Sequence, residues 1–309
     1  MITLSKISKT YTNKVTALSE ITFEIMEGGV VYVLGESGSG KSTLLKIIAG
    51  LEDSDHGSVS VGNEIITGPS QNLAPGYDSI AHVAQDFKLQ QFWTVRDNIG
   101  KKISHYSKVD KEERIRELLA LCKLESHADR FPKELSGGQQ QRIAIVAAIA
   151  DEPDVVLLDE PFSNLDLPMK SEVRKEIISM LRALGITVML ISHDPAEALA
   201  VANSIILLRD GKLEQMGTPE EVYRNPISFY AAKFLGPVNE LSVNKKNELI
   251  RPEDIRIVSS GLYEGQIEST TFMGMHYQVY ISSKLSSKAL LAYSSEALKR
   301  GQSVRFSIA

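Results

Sequence analysis

The sequence predicts an α/β domain, in which helices flank a mostly parallel sheet, followed by a small all-β domain. The apolar runs Val30–Leu34, Val155–Leu158 and Ile186–Ile191 have the length and composition of buried strands. Helical patterns lie between these runs, as the connections between parallel strands require. Toward the C-terminus the chain changes to short, serine-rich stretches, of which Gln266–Ser269 and Met275–Ile281 are strand candidates.

Length and charge narrow the class of protein. The chain has 309 residues, more than one ordinary domain usually takes, and the expected domains are residues 1–235 and 236–309. Its formal net charge of -5 gives no electrostatic reason to expect a nucleic-acid partner. The longest apolar run, residues 143–150, is far shorter than the roughly 20 residues of a spanning helix. We therefore expect a chain that does not itself cross a membrane.

A glycine-rich turn follows the first predicted core strand. Residues 35–42 have the sequence GESGSGKS, which matches the G-x-x-x-x-G-K-S phosphate-loop pattern between a strand and a helix over Lys41–Ala49. Glycines let successive backbone N–H groups turn toward phosphate oxygens, Lys41 supplies a positive charge to the β- and γ-phosphates, and the Ser42 hydroxyl can bind Mg²⁺. A merely flexible glycine-serine loop is the alternative, which the flanking strand and helix disfavour. The sequence predicts the core of a P-loop NTPase.

Two adjacent acids end the second core strand. Asp159 and Glu160 follow the apolar residues 155–158, at the edge of the sheet where ligands of such sheets bind. Alone, such a pair is usually the start of a solvated loop. Beside a phosphate loop, Asp159 can hold Mg²⁺ through water, and Glu160 can orient or deprotonate the attacking water. Glu160 is therefore the candidate catalytic base.

A helical insert is expected at about residues 90–135, between the phosphate loop and the second core strand. Asp110 and Glu113 have the spacing of a capping box at the start of a helix. Apolar residues then recur on one helical face: Ile115, Leu118, Leu119 and Cys122. The single cysteine is thus predicted to pack in the core, which fits a reducing compartment without disulfides.

The end of the first domain has its own turn signals. Asp210-Gly211 predicts a tight hairpin between the strands Ser204–Arg209 and Lys212–Met216. Thr218 and Glu221 then have capping-box spacing, so we expect another helix to begin there.

The segment that identifies the family is Leu135-Ser136-Gly137-Gly138-Gln139, at the start of a helical run. Ser136 and the paired glycines would present hydroxyl and N–H donors at a helix N-terminus, which suits an anion. A simple capped turn is the alternative in isolation. The segment lies between the phosphate loop and the Asp159-Glu160 strand, and in this context it resembles the signature sequence of ABC-transporter ATPases. The resemblance covers about residues 1–235.

The resemblance implies roles for further residues. Tyr11 is similar to the aromatic residue that stacks on adenine, and Gln85 to the glutamine that reaches Mg²⁺ and the attacking water. His193 is similar to the histidine that contacts the γ-phosphate. Isolated tyrosines and histidines are more often packing or surface residues, so these roles depend on the other motifs.

The resemblance also implies three sets of contacts. The residues implied to hold ATP in their own chain are Tyr11, Gly35, Glu36, Ser37, Gly38, Ser39, Gly40, Lys41, Ser42 and Thr43, with Lys41, Gln85, Glu160 and His193 acting in catalysis. The implied Mg²⁺ ligands are Ser42, Gln85 and Asp159. The residues implied to contact the partner chain's ATP are Ser136, Gly137, Gly138 and Gln139, and those implied to couple the two subunits are Ser163, Asn164, Leu165 and Asp166.

The C-terminal region narrows the subclass. Arg251-Pro252-Glu253-Asp254-Ile255 resembles the entry to the OB-like regulatory domain of importer ATPases that is termed TOBE, and Gly265-Gln266-Ile267 fits its repeat. An appendage that serves only dimerisation or stability is the alternative.

Taken together, the resemblance implies an ATP-hydrolysing subunit of an ABC importer for iron, polyamine, sulfate or a related solute. It implies a head-to-tail homodimer with two sandwiched ATP molecules, located peripherally on the cytoplasmic face of the membrane, with transmembrane permease subunits and a solute-binding protein as partners. An ATPase for export or lipoprotein release is one alternative, and a non-transport ABC ATPase acting on ribosomes or DNA is another. Phe92 and Trp93 are predicted to line the groove for a permease helix, with core packing as the alternative.

Overall fold

The computed structural model describes residues 1–12, 14–72, 76–86, 89–163, 167–243 and 246–309. The chain divides into two compact units, Met1–Val222 and Tyr223–Ala309. The strands of the first unit are β1 Ile2–Thr10, β2 Thr16–Ile25, β3 Val30–Leu34, β4 His56–Val61, β5 Glu64–Ile66, β6 Ile80–Val83, β7 Val155–Asp159, β8 Thr187–Ile191, β9 Ser204–Arg209 and β10 Lys212–Gly217. The helices up to the boundary are α1 Lys41–Ile48, α2 Val95–Gly100, α3 Lys108–Leu121, α4 Gly137–Ala148, α5 Leu167–Ala183, α6 Pro195–Val201 and α7 Pro219–Arg224.

The central sheet of the first unit has the strand order β10-β9-β3-β8-β7-β6. Strands β9, β3, β8, β7 and β6 run parallel, and only the β9–β10 pair in this sheet is antiparallel. Every residue of β3 and β8 is buried, which is why these strands have continuous apolar sequences instead of alternating ones. The predicted α/β class with a mostly parallel sheet is confirmed. The carboxyl ends of β3, β7 and β8 consequently meet at one edge.

A second sheet, which the sequence analysis did not predict, is antiparallel with the order β2-β1-β4-β5. Residues of β1, β2 and β4 share one hydrophobic core with helix α1 and the central sheet. The alternating burial of β2 is the signal that could have revealed it. This sheet brings Tyr11, just after β1, close to the N-terminal end of α1.

Helices α2 and α3 and 3₁₀ turns at Glu125–His127 and Pro132–Glu134 occupy the segment predicted as a helical insert. The capping box predicted at Asp110 and Glu113 is wrong. Helix α3 begins earlier, because Ser107 is its N-cap and accepts a hydrogen bond from the backbone N–H of Asp110 at 3.3 Å. Cys122 follows this helix and is buried, as predicted.

The turn predicted at Asp210-Gly211 is present. Both residues have positive φ, 49° and 74°, which a two-residue turn of this kind requires. The following capping box is also present: the hydroxyl of Thr218 accepts from the N–H of Glu221 at 3.3 Å, and the Glu221 carboxylate accepts from the N–H of Thr218 at 2.8 Å.

The second unit is an all-β domain with one short helix. Its elements are α8 Phe229–Leu235, β11 Asn239–Val243, β12 Lys246–Ile250, β13 Ile255–Ile257, β14 Tyr263–Phe272, β15 Tyr277–Ser282, β16 Leu290–Ser294 and β17 Ser303–Ile308. Strands β13-β17-β14-β15-β16 form one antiparallel sheet, and β11 pairs with β12. The predicted small β domain is therefore confirmed, and the two strand candidates correspond to β14 and β15.

The boundary between the units lies after Val222, earlier than the predicted 235. Arg251 explains the difference. This arginine is buried, and its guanidinium donates to the carbonyls of Tyr223 (2.9 Å), Ala232 (2.9 Å) and Gly236 (3.1 Å). Five donors in a rigid fork can satisfy several carbonyls at once. The segment that contains α8 therefore joins the second unit.

Among the described residues, no helix combines the length and the apolar character needed to cross a bilayer.

Candidate nucleotide-binding site

The phosphate loop connects β3 to α1 at the carboxyl edge of the central sheet. Gly40 has a φ of 97°, and a Cβ there would lie 2.3 Å from the carbonyl oxygen of Ala17. A side chain at this position would clash with the backbone as well as strain the turn. The loop backbone can therefore turn tightly into α1 only with glycine at this position.

Lys41 points back into its own loop. Its Nζ donates to the carbonyl oxygens of Gly35 at 2.8 Å and Glu36 at 2.7 Å. Burial lowers the pKa of this ammonium group, and the negative charges of Glu160 and Asp159 partly oppose that effect. The lysine thus sits with its charge held at the centre of the loop, where a phosphate group would enter.

Side chains with oxygen atoms that can bind Mg²⁺ lie beside the loop. The Ser42 hydroxyl is 3.4 Å from Oδ1 of Asp159, at the end of β7. Nε2 of Gln85 is 3.4 Å from the Ser163 hydroxyl, so the glutamine lies on the same side of the sheet as the acids. Hydroxyl, carboxylate and amide oxygens are ligands that Mg²⁺ accepts, and the residues present fit this ion.

Glu160 and His193 face each other across the strand ends. Oε2 of Glu160 lies 3.5 Å from Nδ1 of His193. Glu160 has a φ of 46°, an uncommon backbone conformation for glutamate, and Ser163 donates both its hydroxyl (3.0 Å) and its N–H (3.2 Å) to the Glu160 carbonyl. The turn after β7 is therefore held by hydrogen bonds in a conformation that directs the carboxylate toward the histidine.

Tyr11 stands at the other side of the loop. Its hydroxyl is 3.1 Å from the hydroxyl of Thr43 in the first turn of α1, and Nζ of Lys9 lies 5.7 Å from the ring centroid. The ring is partly exposed, as a stacking surface for a nucleobase must be.

One cleft of about 430 Å³ collects most of the predicted residues. Its lining comprises Tyr11, Val15, Ala17, Ser37, Gly38, Gly40, Lys41, Ser42, Thr43, Glu160 and His193. The sequence analysis missed Val15 and Ala17, which follow Tyr11 and supply apolar wall. Five residues predicted to bind ATP or Mg²⁺ within their own chain lie outside this lining: Gly35, Glu36, Ser39, Gln85 and Asp159. Ser163, predicted to couple the two subunits, also lies outside it. Asn164, Leu165 and Asp166 lie outside the described residues.

The signature segment is not part of that cleft. Ser136 is the N-cap of α4: its hydroxyl accepts from the N–H of Gln139 at 3.3 Å, and its own N–H donates to Oε1 of Gln139 at 2.9 Å. Ser136 and Gly137 are exposed, whereas Gly138 is buried. The segment therefore forms a preorganised helix N-terminus with exposed donors, outside the phosphate-loop cleft of its own chain.

A histidine that the sequence analysis missed holds this segment. Nε2 of Gln139 is 3.2 Å from Nε2 of His127, and the Ser126 hydroxyl is 3.1 Å from Nδ1 of the same ring. Because Oε1 of Gln139 accepts from the N–H of Ser136, its Nε2 is the donor, and this contact requires the histidine tautomer in which Nε2 accepts. No sequence spacing indicates this contact between the 3₁₀ turn and α4.

A groove lies beside the insert. Its volume is about 430 Å³, and its wall includes Leu89, Asn98, Lys101 and Ala147. The side chain of Asn98 donates to the carbonyls of Gln90 (3.1 Å), Trp93 (3.2 Å) and Thr94 (2.9 Å), which fixes the loop at its edge.

On that loop Phe92 is 92% exposed and Trp93 is 42% exposed. These exposures disfavour core packing for Phe92. The two aromatic side chains are presented at the surface next to the groove.

Comparisons with known proteins agree with this arrangement. The family described as ABC transporter matches residues 18–163. The chain is 40% identical over 276 residues to the sulfate/thiosulfate import ATP-binding protein of Nocardia farcinica, covering 87% of this chain and 81% of the relative. It is 37% identical over 312 residues to the spermidine/putrescine import ATP-binding protein of Clostridioides difficile, covering 91% and 88%.

Solved structures give the same result. A dimeric ATP-binding cassette in a post-hydrolysis state, bound to ADP and Pi, is 31% identical with a TM-score of 0.61, covering 71% of this chain and 99% of that one. The cbiO1 subunit of Clostridium perfringens, part of an ABC transporter complex, is 26% identical with a TM-score of 0.67, covering 76% and 92%. The chain therefore belongs to the ATP-binding subunits of ABC transporters, and it is an ATPase of that family.

Proposed function

We propose that the chain powers an importer as a head-to-tail homodimer, located on the cytoplasmic face of the membrane beneath permease subunits. The observation that carries this proposal is the separation of two surfaces. Lys41, Glu160 and His193 line one cleft, whereas the Ser136 segment exposes its donors elsewhere. A second copy that presents Ser136 to the cleft would complete the site.

Within one such site, the residues of the cleft have distinct tasks. Tyr11 stacks on the base, and the loop N–H groups and Lys41 bind the β- and γ-phosphates. Ser42, Gln85 and Asp159 would hold Mg²⁺, which neutralises phosphate charge when bound. Glu160 accepts a proton from, or orients, the attacking water, and His193 lies 3.5 Å from its carboxylate, where it can contact the γ-phosphate.

The second copy supplies the remaining charge stabilisation. The Ser136 hydroxyl and the N–H groups of Gly137 and Gly138 would bind the γ-phosphate from the side opposite Lys41. The residues that would couple the two copies are Ser163, Asn164, Leu165 and Asp166. Closure of the dimer then depends on ATP, which is how hydrolysis can drive a membrane partner.

Import is favoured by the relatives and by the second unit. The similar proteins are named as import ATP-binding proteins, and their named solutes differ. Similar identity to subunits that serve different solutes supports an ATPase subunit that does not itself select the solute. A solute-binding protein would then make that selection. The small antiparallel β domain supports the TOBE-like assignment.

The partner interaction can be tested at Phe92. We expect Phe92→Ala to leave the thermal stability and basal ATP hydrolysis of the isolated subunit nearly unchanged, because this side chain is 92% exposed. It should reduce co-purification with the permease and transport in vesicles by about tenfold, as loss of an aromatic anchor does. The matched control is Phe272→Ala, an exposed phenylalanine of the second unit.

Undiminished permease binding by Phe92→Ala would contradict the proposed groove. Equal losses in both variants would show that the effect is not specific to this surface.

A further inference from the structure

A buried carboxylate lies in the helix that follows His193. Glu197 in α6 is 2% exposed. Its Oε2 accepts from the Ser192 hydroxyl at 2.8 Å, and its Oε1 is 2.6 Å from Nζ of Lys170 and 3.8 Å from Nη1 of Arg174. Two cations of α5 and one hydroxyl at the end of β8 thus converge on this acid.

Stability alone is a weak explanation for this cluster. Burying three charged groups costs much of what their attraction returns, and apolar replacements of similar volume are often as stable. The surroundings are largely shielded from solvent: the nearby Tyr32 is fully buried, and burial, with a smaller contribution from the charge of Glu197, raises the pKa of its phenol. A buried charged cluster of this kind therefore indicates a role in holding neighbouring residues in a fixed position.

The cluster is tied directly to the backbone around His193. The Ser192 hydroxyl that donates to Glu197 also accepts from the N–H of Asp194 at 3.1 Å. One hydroxyl therefore clamps the residues on both sides of His193. Asp194 in turn caps α6 by accepting from the N–H of Ala196 at 2.9 Å, and its carboxylate lies 3.9 Å from Nζ of Lys170.

The other end of the cluster lies on α5. Lys170 and Arg174 belong to the first two turns of this helix, which spans Leu167–Ala183. This helix begins four residues after Ser163 in the sequence. The Ser163 hydroxyl in turn donates to the carbonyl of Glu160 and so holds the turn after β7. A displacement at the start of α5 would therefore act on Glu197 through its two cations.

We propose that Glu197 is a positioning residue, which holds His193 against Glu160 and links its position to the start of α5. This inference rests on the proposed role of His193. The Lys170–Glu197–Ser192 chain, continued by the hydrogen bond from the N–H of Asp194, would fix the backbone on both sides of the histidine.

The test compares Glu197→Gln with the double variant Glu197→Gln/Lys170→Met. The single variant leaves Lys170 and Arg174 without this carboxylate, so it loses stability. The double variant removes one of the two cations and restores part of the loss. We expect kcat to fall at least about tenfold in both, while KM for ATP changes by less than about twofold, because Lys41 and Tyr11 do not contact the cluster. Glu176→Gln, which removes another α5 ion pair, is the matched control and should keep its kcat.

Each proposal has its own failing result. A parental kcat in the folded double variant would overturn the inference, because the cluster would then be only structural. His193→Ala, measured in parallel, tests the proposed role of the histidine separately. A parental rate in that variant would remove His193 from catalysis. The inference is supported if Glu197→Gln, its double variant and His193→Ala all lower kcat, and Glu176→Gln does not.

Discussion

The cleft around Lys41 and the segment around Ser136 both contain the N-terminus of a helix, but different side chains surround the two helix ends. In the cleft, Lys41, Ser42, Glu160 and His193 lie together, so one chain contains the phosphate loop, one proposed metal ligand and the proposed catalytic base. The Ser136 segment has preorganised donors but none of these groups beside it. Under the proposed function, each chain carries two different parts of a site. The difference then assigns nucleotide binding to the monomer and turnover to the dimer.

The largest expected effect is on ATP turnover, from a substitution that removes the carboxylate in the cleft without changing the shape of the side chain. Glu160→Gln should lower ATP turnover by about 10²–10⁴-fold while ATP remains bound, because the amide cannot accept the proton of the attacking water. Trapped ATP should also stabilise the dimer. Turnover assays and size measurement with ATP and Mg²⁺ check both points. A variant that hydrolyses at the parental rate would remove Glu160 from its role.

A smaller effect is expected from the other part of the site. Ser136→Arg should reduce turnover by about 10²-fold, because a bulky cation replaces donors that act in the transition state. Nucleotide binding by the monomer should be unchanged, since Ser136 lies outside the cleft. Ser269→Arg, at an exposed serine of the second unit, is the control. Binding lost together with turnover would place Ser136 in its own chain's pocket.

The smallest effect concerns the support of the signature segment. His127→Leu removes the acceptor for the Gln139 amide. One lost hydrogen bond of about 0.5–1.5 kcal/mol should lower turnover about twofold to tenfold, with nucleotide binding unaffected. Ser126→Ala is the matched control and should have less effect, because the histidine remains. Identical rates in His127→Leu and the parent would show that the capping box of Ser136 suffices alone.

What the sequence predicts well is local. Gly35, Lys41, Asp159 and His193 all follow core strands, and because parallel strands share one edge, their convergence followed from the strand assignments. The hairpin at Asp210-Gly211 likewise depends only on its own two residues.

The features that the sequence did not predict involve either two equally suitable capping residues or contacts between residues far apart in the sequence. Ser107 and Asp110 both offer capping chemistry, and only the structure shows which begins the helix. Strand β1 has register shifts that obscure its alternating pattern. The His127–Gln139 contact and the reach of Arg251 back to Tyr223 join residues far apart in the sequence, and neither follows from any spacing.

Mixing two inactive variants tests the division of the site most directly. In a head-to-tail dimer of one Lys41→Ala chain and one Ser136→Arg chain, one site carries both substitutions and the other carries neither. Random pairing makes about half of the dimers mixed, so roughly one quarter of the sites become intact. We predict that each variant alone hydrolyses ATP at about one hundredth of the parental rate or less, and that the mixture regains roughly one quarter of the parental rate. A mixture as inactive as its components would contradict a site shared between two copies.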